Sequence, residues 1–198
     1  MSGANVLSTR GALHRVTADV LRDGAARLGP QLGSLPRPYV GVLIGGSNGA
    51  YRLEAAEMET IARQLATAAK AARGSLLITP SRRTSEESLR ILKAHLEGVP
   101  HYFWEGTGEN PYFGILGLSD VLVVTCDSVN MVCEAASTSK PVYVVDLPGG
   151  SAKFERFHRL LREEGVTRPF AGALERYSYS PLDDMASAAA RVKALLPR

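Results

Sequence analysis

Along the chain, short apolar runs without alternation give way to longer stretches in which apolar residues recur every three or four positions. "YVGVLIGG" from Tyr39, "SLLITPS" from Ser75, "PHYFWEG" from Pro100, Val121 to Val124 and Val142 to Asp146 read as strands buried on both faces. Between them, "EAAEMETIARQLATAAKAA", "SEESLRILKAHLE", "PYFGILGLS" and Val129 to Thr138 read as helices. The first of these aligns Met58, Ile61, Leu65, Ala68 and Ala72 in one apolar stripe. Two amphipathic helices, "AKFERFHRLLREEG" and "PLDDMASAAARVKALL", follow, with Pro181 in the first turn of the second. The alternation predicts a doubly wound α/β fold: a Rossmann-like, six-stranded parallel sheet from Tyr39 onward, its first and fourth strands adjacent at a switch point.

Residues 1–37 differ. "NVLSTRGALHRVTADVLRDGAARLG" holds a short strand-like start and one amphipathic helix, and "PQLGSLPRP" then places three prolines and a glycine in nine residues, which is linker chemistry. The 198 residues suffice for one substantial core. A net charge of +3, with charges of both signs interspersed, argues against a dedicated nucleic-acid binder. Cys126 and Cys133 have the spacing of neither a zinc site nor a disulfide framework and read as small buried hydrophobes. No stretch has the length of a membrane helix or the plan of a signal peptide, so the expectation is a cytoplasmic protein without an integral membrane segment.

Parallel sheets bind ligands beyond the carboxyl ends of their strands, so the turns there are the places to look for chemistry. In "IGGSNGAYR", Gly45 and Gly46 permit close backbone approach to an anion, with Ser47 and Asn48 as added donors; a tight turn that merely needs glycine is the alternative. "TPSRRTSEES" brings Arg82 and Arg83 to the same edge, with Ser85 as a helix cap. Trp104 and Tyr112, in "FWEGTGENPYFG", offer ring faces to a planar base. In "TCDSVNMVCEAAST", Asp127, Met131, Glu134 and Thr138 share one helical face, Asp127 or Ser128 caps the helix, and Glu134 lies where a sugar diol can donate to it, so that Asp127, Ser128, Met131 and Glu134 join Arg82 and Arg83 as candidate substrate contacts. A dinucleotide reading fails on spacing, because the second strand ends about 35 residues beyond the glycines rather than about 20. No tyrosine has a lysine four residues later, as an epimerase would require.

"DSVNMVCEA" followed by "SKPVYVVDLPG" resembles the nucleotide-sugar-binding half of GT-B glycosyltransferases, with Ser139 in place of the glycine usual before Lys140. Over nearly the whole chain, "GANVLSTRGALHRVT", "GVLIGGSNGAYRL", "SRRT" and "TCDSVNMVCEA" are together similar to the bacterial relatives of the plant mitochondrial-fission "elongated mitochondria" family. The resemblance implies a two-lobed protein of which this chain matches the carboxyl-terminal lobe. Residues 38–198 are then that lobe, and residues 1–37 the end of a missing amino-terminal lobe plus a linker. It implies a nucleoside diphosphate or nucleotide-sugar ligand, UDP-linked in the GT-B pattern, with no cofactor. Ser128 would meet the diphosphate, helped by Arg82, and Glu134 the ribose, with Gly45, Gly46 and Ser47 at the cleft. No Asp-x-Asp motif occurs, in keeping with a GT-B mode needing no metal. Transfer would require the other lobe, from the same polypeptide or a partner subunit, and a non-catalytic adaptor is the alternative. Tyr51, Phe113, Leu147 and Phe154 are expected to form an exposed apolar patch that drives self-association.

Overall fold

The computed structural model describes Gly3, residues 6–182 and residues 184–195. The expected strand-like start at Asn5, the helix end at Leu196 and the domain end at Arg198 lie outside them. The β-branched runs form the middle of the sheet: β1 (Tyr39–Ile44), β4 (Val121–Thr125) and β5 (Val142–Val145) are buried at every position. Burial at both parities of a strand means that both sheet faces are covered, as crossover helices require. β2 (Ser75–Pro80) and β3 (His101–Phe103) extend the sheet on one side and β6 (Thr167–Pro169) on the other. All pairings are parallel and the order is β3-β2-β1-β4-β5-β6, with Val42 beside both Ile78 and Val123. β1 and β4 are adjacent, as the alternation predicts. The sixth strand is the exception in the sequence reading: it falls on "TRP", a segment that no apolar run marks.

The helices follow from local chemistry. α1 is Ala18–Leu28, capped by Thr17 and followed by a 3₁₀ turn at Gly29–Leu32. α2 (Ala55–Ala72) buries Met58, Ile61, Leu65 and Ala68 and starts with a capping box between Glu54 and Glu57. α3 (Glu86–His95) is capped by Ser85, as expected, and α4 (Tyr112–Leu118) starts after Pro111, where Asn110 Oδ1 accepts from the Tyr112 amide at 2.9 Å. α5 (Val129–Ala136) is capped by Ser128, and α6 (Ala152–Glu163) by Ser151. α7 (Asp184–Leu195) begins after Pro181, which lies outside the helix rather than in its first turn.

The chain before β1 is packed onto the body. Val6 to Thr9 form no strand, but Leu28 and Leu32 enter the core. Arg37 grips both Asp120 oxygens at 2.8 and 2.9 Å, and the Tyr39 amide donates to Asp120 Oδ2 at 2.7 Å. The expected apolar patch does not form. Tyr51 and Leu147 are buried because the loops after β1 and β5 meet in an antiparallel bridge, Tyr51 to Gly149. Phe154 is half-buried with its ring 5.3 Å from that of Tyr51, and half-buried Phe113 lies beside Gly24 of α1.

Candidate functional site

β1 and β4 send their following helices in opposite directions along the sheet, and the crevice at their carboxyl ends is built from three turns. Asp127, the first turn residue after Cys126, points back at β1 instead of capping α5. Its side chain is wholly buried, accepts from Thr125 Oγ1 at 2.6 Å and from the Gly46 amide at 3.2 Å, and pairs with the Arg83 guanidinium. The Gly45 amide donates to Thr125 Oγ1 at 2.8 Å. A Cβ at Gly45 would lie 2.1 Å from both Asp127 oxygens, and one at Gly46 would lie 2.1 Å from the Arg83 carbonyl. The glycines are therefore demanded by the close approach of protein groups, and their amides already have acceptors.

The same turns are closed by side chains. Asn48 donates to the Asp127 carbonyl at 3.1 Å while its Oδ1 accepts from the Ala50 and Tyr51 amides, each at 2.8 Å. Exposed Ser47 accepts from the Leu53 amide at 2.8 Å. Thr84 Oγ1 donates to the Gly45 carbonyl at 2.5 Å. Thr125, a central member of this network, was not a candidate in the sequence; its one signal is a hydroxyl at the end of an otherwise aliphatic strand. Arg82 diverges from Arg83: it is exposed and lines a hollow of about 240 Å³ with Ser81, Phe103 and Trp104.

α5 carries the remaining candidates. Ser128 Oγ accepts from the Met131 amide at 3.4 Å, so the amides of Val129 and Asn130, the first two of the helix, have no intrahelical acceptor. Met131 and Glu134 are the half-exposed positions of a helix whose Val132, Cys133, Ala135 and Ala136 are buried; of the predicted face, Asp127 is instead turned back at β1 and Thr138 falls beyond the helix, which ends at Ala136. Glu134 Oε2 accepts from the Tyr112 hydroxyl at 2.5 Å. Burial, and then the Glu134 charge, hold that phenol well above its ordinary pKa. The structure thus brings Tyr112 and Glu134 together, and it separates half-buried Ser128 and Glu134 from Asp127 and Arg83, which bind each other.

Both cysteines are buried free thiols, pushed up to about 11 by desolvation. Near Cys126 lies a cavity of about 430 Å³, lined in part by Tyr51, Asp146, His158 and Arg162. His158 is buried, its Nε2 is 2.9 Å from the Cys126 carbonyl, and desolvation lowers its pKa. Nothing in the sequence singled it out.

Among known proteins, residues 1–196 match the family model described as mitochondrial fission ELM1. The chain is 39% identical over 197 residues to the mitochondrial fission protein ELM1 of Arabidopsis thaliana; the match takes in 96% of this chain and 45% of that protein, so the chain spans under half of that relative's length. It is also 36% identical over 91 residues to an uncharacterised protein of Rickettsia prowazekii, covering 44% of this chain and 26% of that one. Among solved structures, Os79 from O. sativa in complex with U2F and trichothecene aligns at 16% identity and a TM-score of 0.49, over 77% of this chain and 33% of its own. UGT71G1 of Medicago truncatula with UDP-glucose aligns at 15% identity and a TM-score of 0.46, over 92% and 40% respectively. These structural likenesses are too loose for anything further to rest on them. With a family model matched over almost its full length and a relative close to two-fifths identical across it, this chain belongs to the mitochondrial fission ELM1 family.

Proposed function

We propose that the chain is the nucleotide-binding half of a GT-B-like glycosyltransferase, binding a nucleoside diphosphate or its sugar conjugate over the amino-terminal end of α5. The observation that carries this reading is the division of labour on that helix. Ser128 caps the Met131 amide and leaves the Val129 and Asn130 amides open at the strand-end crevice, where helix dipole and free N–H groups favour a diphosphate. Glu134 lies six residues on, about 9 Å along the axis, with one oxygen held by Tyr112 and the other without a hydrogen-bond partner among the described residues. A ribose is a pair of hydroxyl donors of that reach. The hollow lined by Trp104 and Arg82 offers an aromatic wall and a cation on the same edge of the sheet.

In this reading the charge that develops on a departing diphosphate falls on the α5 amides, which the helix fixes before the reaction begins, and on the exposed Arg82. Gly45, Gly46, Asp127 and Arg83 hold the crevice in shape. The acceptor and the groups that activate it belong to a second lobe, so this chain alone binds donor without transferring sugar.

The test is a ligand-observed NMR titration with UDP. A saturable signal is expected, weakened by about 1 to 3 kcal/mol in Glu134→Ala through loss of charge-assisted hydrogen bonds and unchanged in Glu97→Ala, an exposed residue beyond α3. Tyr112→Phe, which frees Glu134 Oε2 without removing its charge, should shift UDP affinity by less than Glu134→Ala. Absence of a saturable signal, or an unaltered signal in Glu134→Ala, overturns the reading and leaves a non-catalytic scaffold.

A further inference from the structure

α6 has an apolar face that the core covers only in part. His158 and Leu161 are its buried positions. Phe154, Phe157 and Leu160 repeat every three residues beside them and are only half-buried, Phe154 and Phe157 resting against the edge of the core and Leu160 lying furthest round the helix. Together with Val129 and the segment Thr9 to Ala12, they wall a groove of about 490 Å³, within the range of small-molecule sites. An apolar stripe on an amphipathic helix ordinarily faces the core; the side of this one that the core leaves uncovered lines a hollow.

The charges around that hollow have one sign. Arg10, Lys153 and Arg156 line it, and no aspartate or glutamate among the described residues does. Arg10 is engaged by Glu164 at 3.3 Å and Asp184 at 3.7 Å. Lys153 and Arg156 are exposed and pair with no carboxylate among the described residues. Two unneutralised cations at the mouth of an aromatic groove repel each other unless an anion joins them, and a guanidinium beside an ammonium suits a phosphate.

We propose that this groove binds a single-chain amphiphilic phosphate, with its chain along Phe154, Phe157, Leu160 and Val129 and its head group between Lys153 and Arg156. The groove adjoins the proposed nucleotide site at Val129, whose amide is offered there to a diphosphate, but neither Ser128 nor Glu134 lines it. The two readings are told apart by their variants: Glu134→Ala touches no residue of the groove, and Lys153, Arg156 and Leu160 touch none of the nucleotide reading.

The test is calorimetric titration of the whole chain with decyl phosphate below its micellar concentration. One molecule should bind saturably. Decyl maltoside, which has the chain without the charge, and inorganic phosphate, which has the charge without the chain, should each bind at least tenfold more weakly. The double variant Lys153→Glu with Arg156→Glu changes only exposed side chains and should keep its circular dichroism while losing at least tenfold in affinity; Leu160→Asp should lose as much by blocking the chain. Equal binding of the maltoside, or unchanged affinity in the charge-reversed variant, overturns the proposal. Binding to vesicles containing phosphatidic acid without saturable binding of monomeric decyl phosphate overturns it too, and identifies a membrane-surface patch instead.

Discussion

Asp127 shows how a residue picked out by the sequence as a ligand contact is instead the fastening of the crevice. A carboxylate with no solvent exposure needs partners for its oxygens, and it finds Thr125, the Gly46 amide and Arg83 across two neighbouring turns. Asp127→Ala leaves those donors unmatched and is expected to cost about 2 to 4 kcal/mol. Arg83→Ala should cost about 1 to 2 kcal/mol, because that side chain is 46% exposed and its charge is screened. Urea unfolding of both variants checks the order, and an Asp127→Ala protein as stable as the parent would mean the network contributes nothing. His158 adds a pH dependence. Burial lowers its pKa below the ordinary 6.5, so the unfolded chain takes up more protons as pH falls through that value. Stability contributed by the neutral ring is present above about 6.5 and lost below it. His158→Gln, which keeps a donor for the Cys126 carbonyl, should flatten the stability profile between pH 7 and 5.

At the scale of elements, what the sequence disclosed depended on whether the signal was local. The aliphatic runs of β1, β4 and β5, the stripe of α2 and the Ser85 and Ser128 caps are all written in adjacent residues, and each lies where the pattern puts it. β6 is three residues, two of them polar or charged and one proline, and becomes a strand only because Val142 and Val144 offer it an edge. Tyr51 and Leu147 read as exposed because their cover comes from a bridge between loops nearly a hundred residues apart. Lys140 is of the same kind. It looks like a surface residue before Pro141, yet it is half-buried and its Nζ donates to the Leu116 and Gly117 carbonyls at 2.5 and 2.6 Å, at the carboxyl end of α4. Those carbonyls have no intrahelical donor, and a cation there also suits the helix dipole. Lys140→Met keeps the stem and removes the donor, and should destabilise by about 1 to 3 kcal/mol. Thermal unfolding at pH 7 checks it.

At the scale of the molecule, the question is whether residues before β1 are an appendage or part of the body. α1 meets α4 through glycine at three points: a Cβ on Gly24 would lie 2.6 Å from the Gly114 amide, one on Gly114 2.7 Å from the Gly24 carbonyl, and one on Gly117 2.6 Å from the Leu21 carbonyl. Two helices this close are in backbone contact, and neither can take a side chain there without moving the other. α4 in turn buries Ile115 and Leu116 toward the sheet, so α1 is fixed to the core at one remove, with Leu28 reaching the core itself. A detached linker would tolerate substitution. Here Gly114→Val should cost more than the 1 to 3 kcal/mol typical of overpacking, roughly 3 kcal/mol or above, because backbone must shift on both helices. The separation of α1 should be visible directly: in the parent, trypsin should cleave slowly at Arg22 and Arg27, and in Gly114→Val these sites should open before any within β1 to β5. Equal digestion of the two proteins at those arginines would mean that α1 is loosely held, and that the body begins at β1.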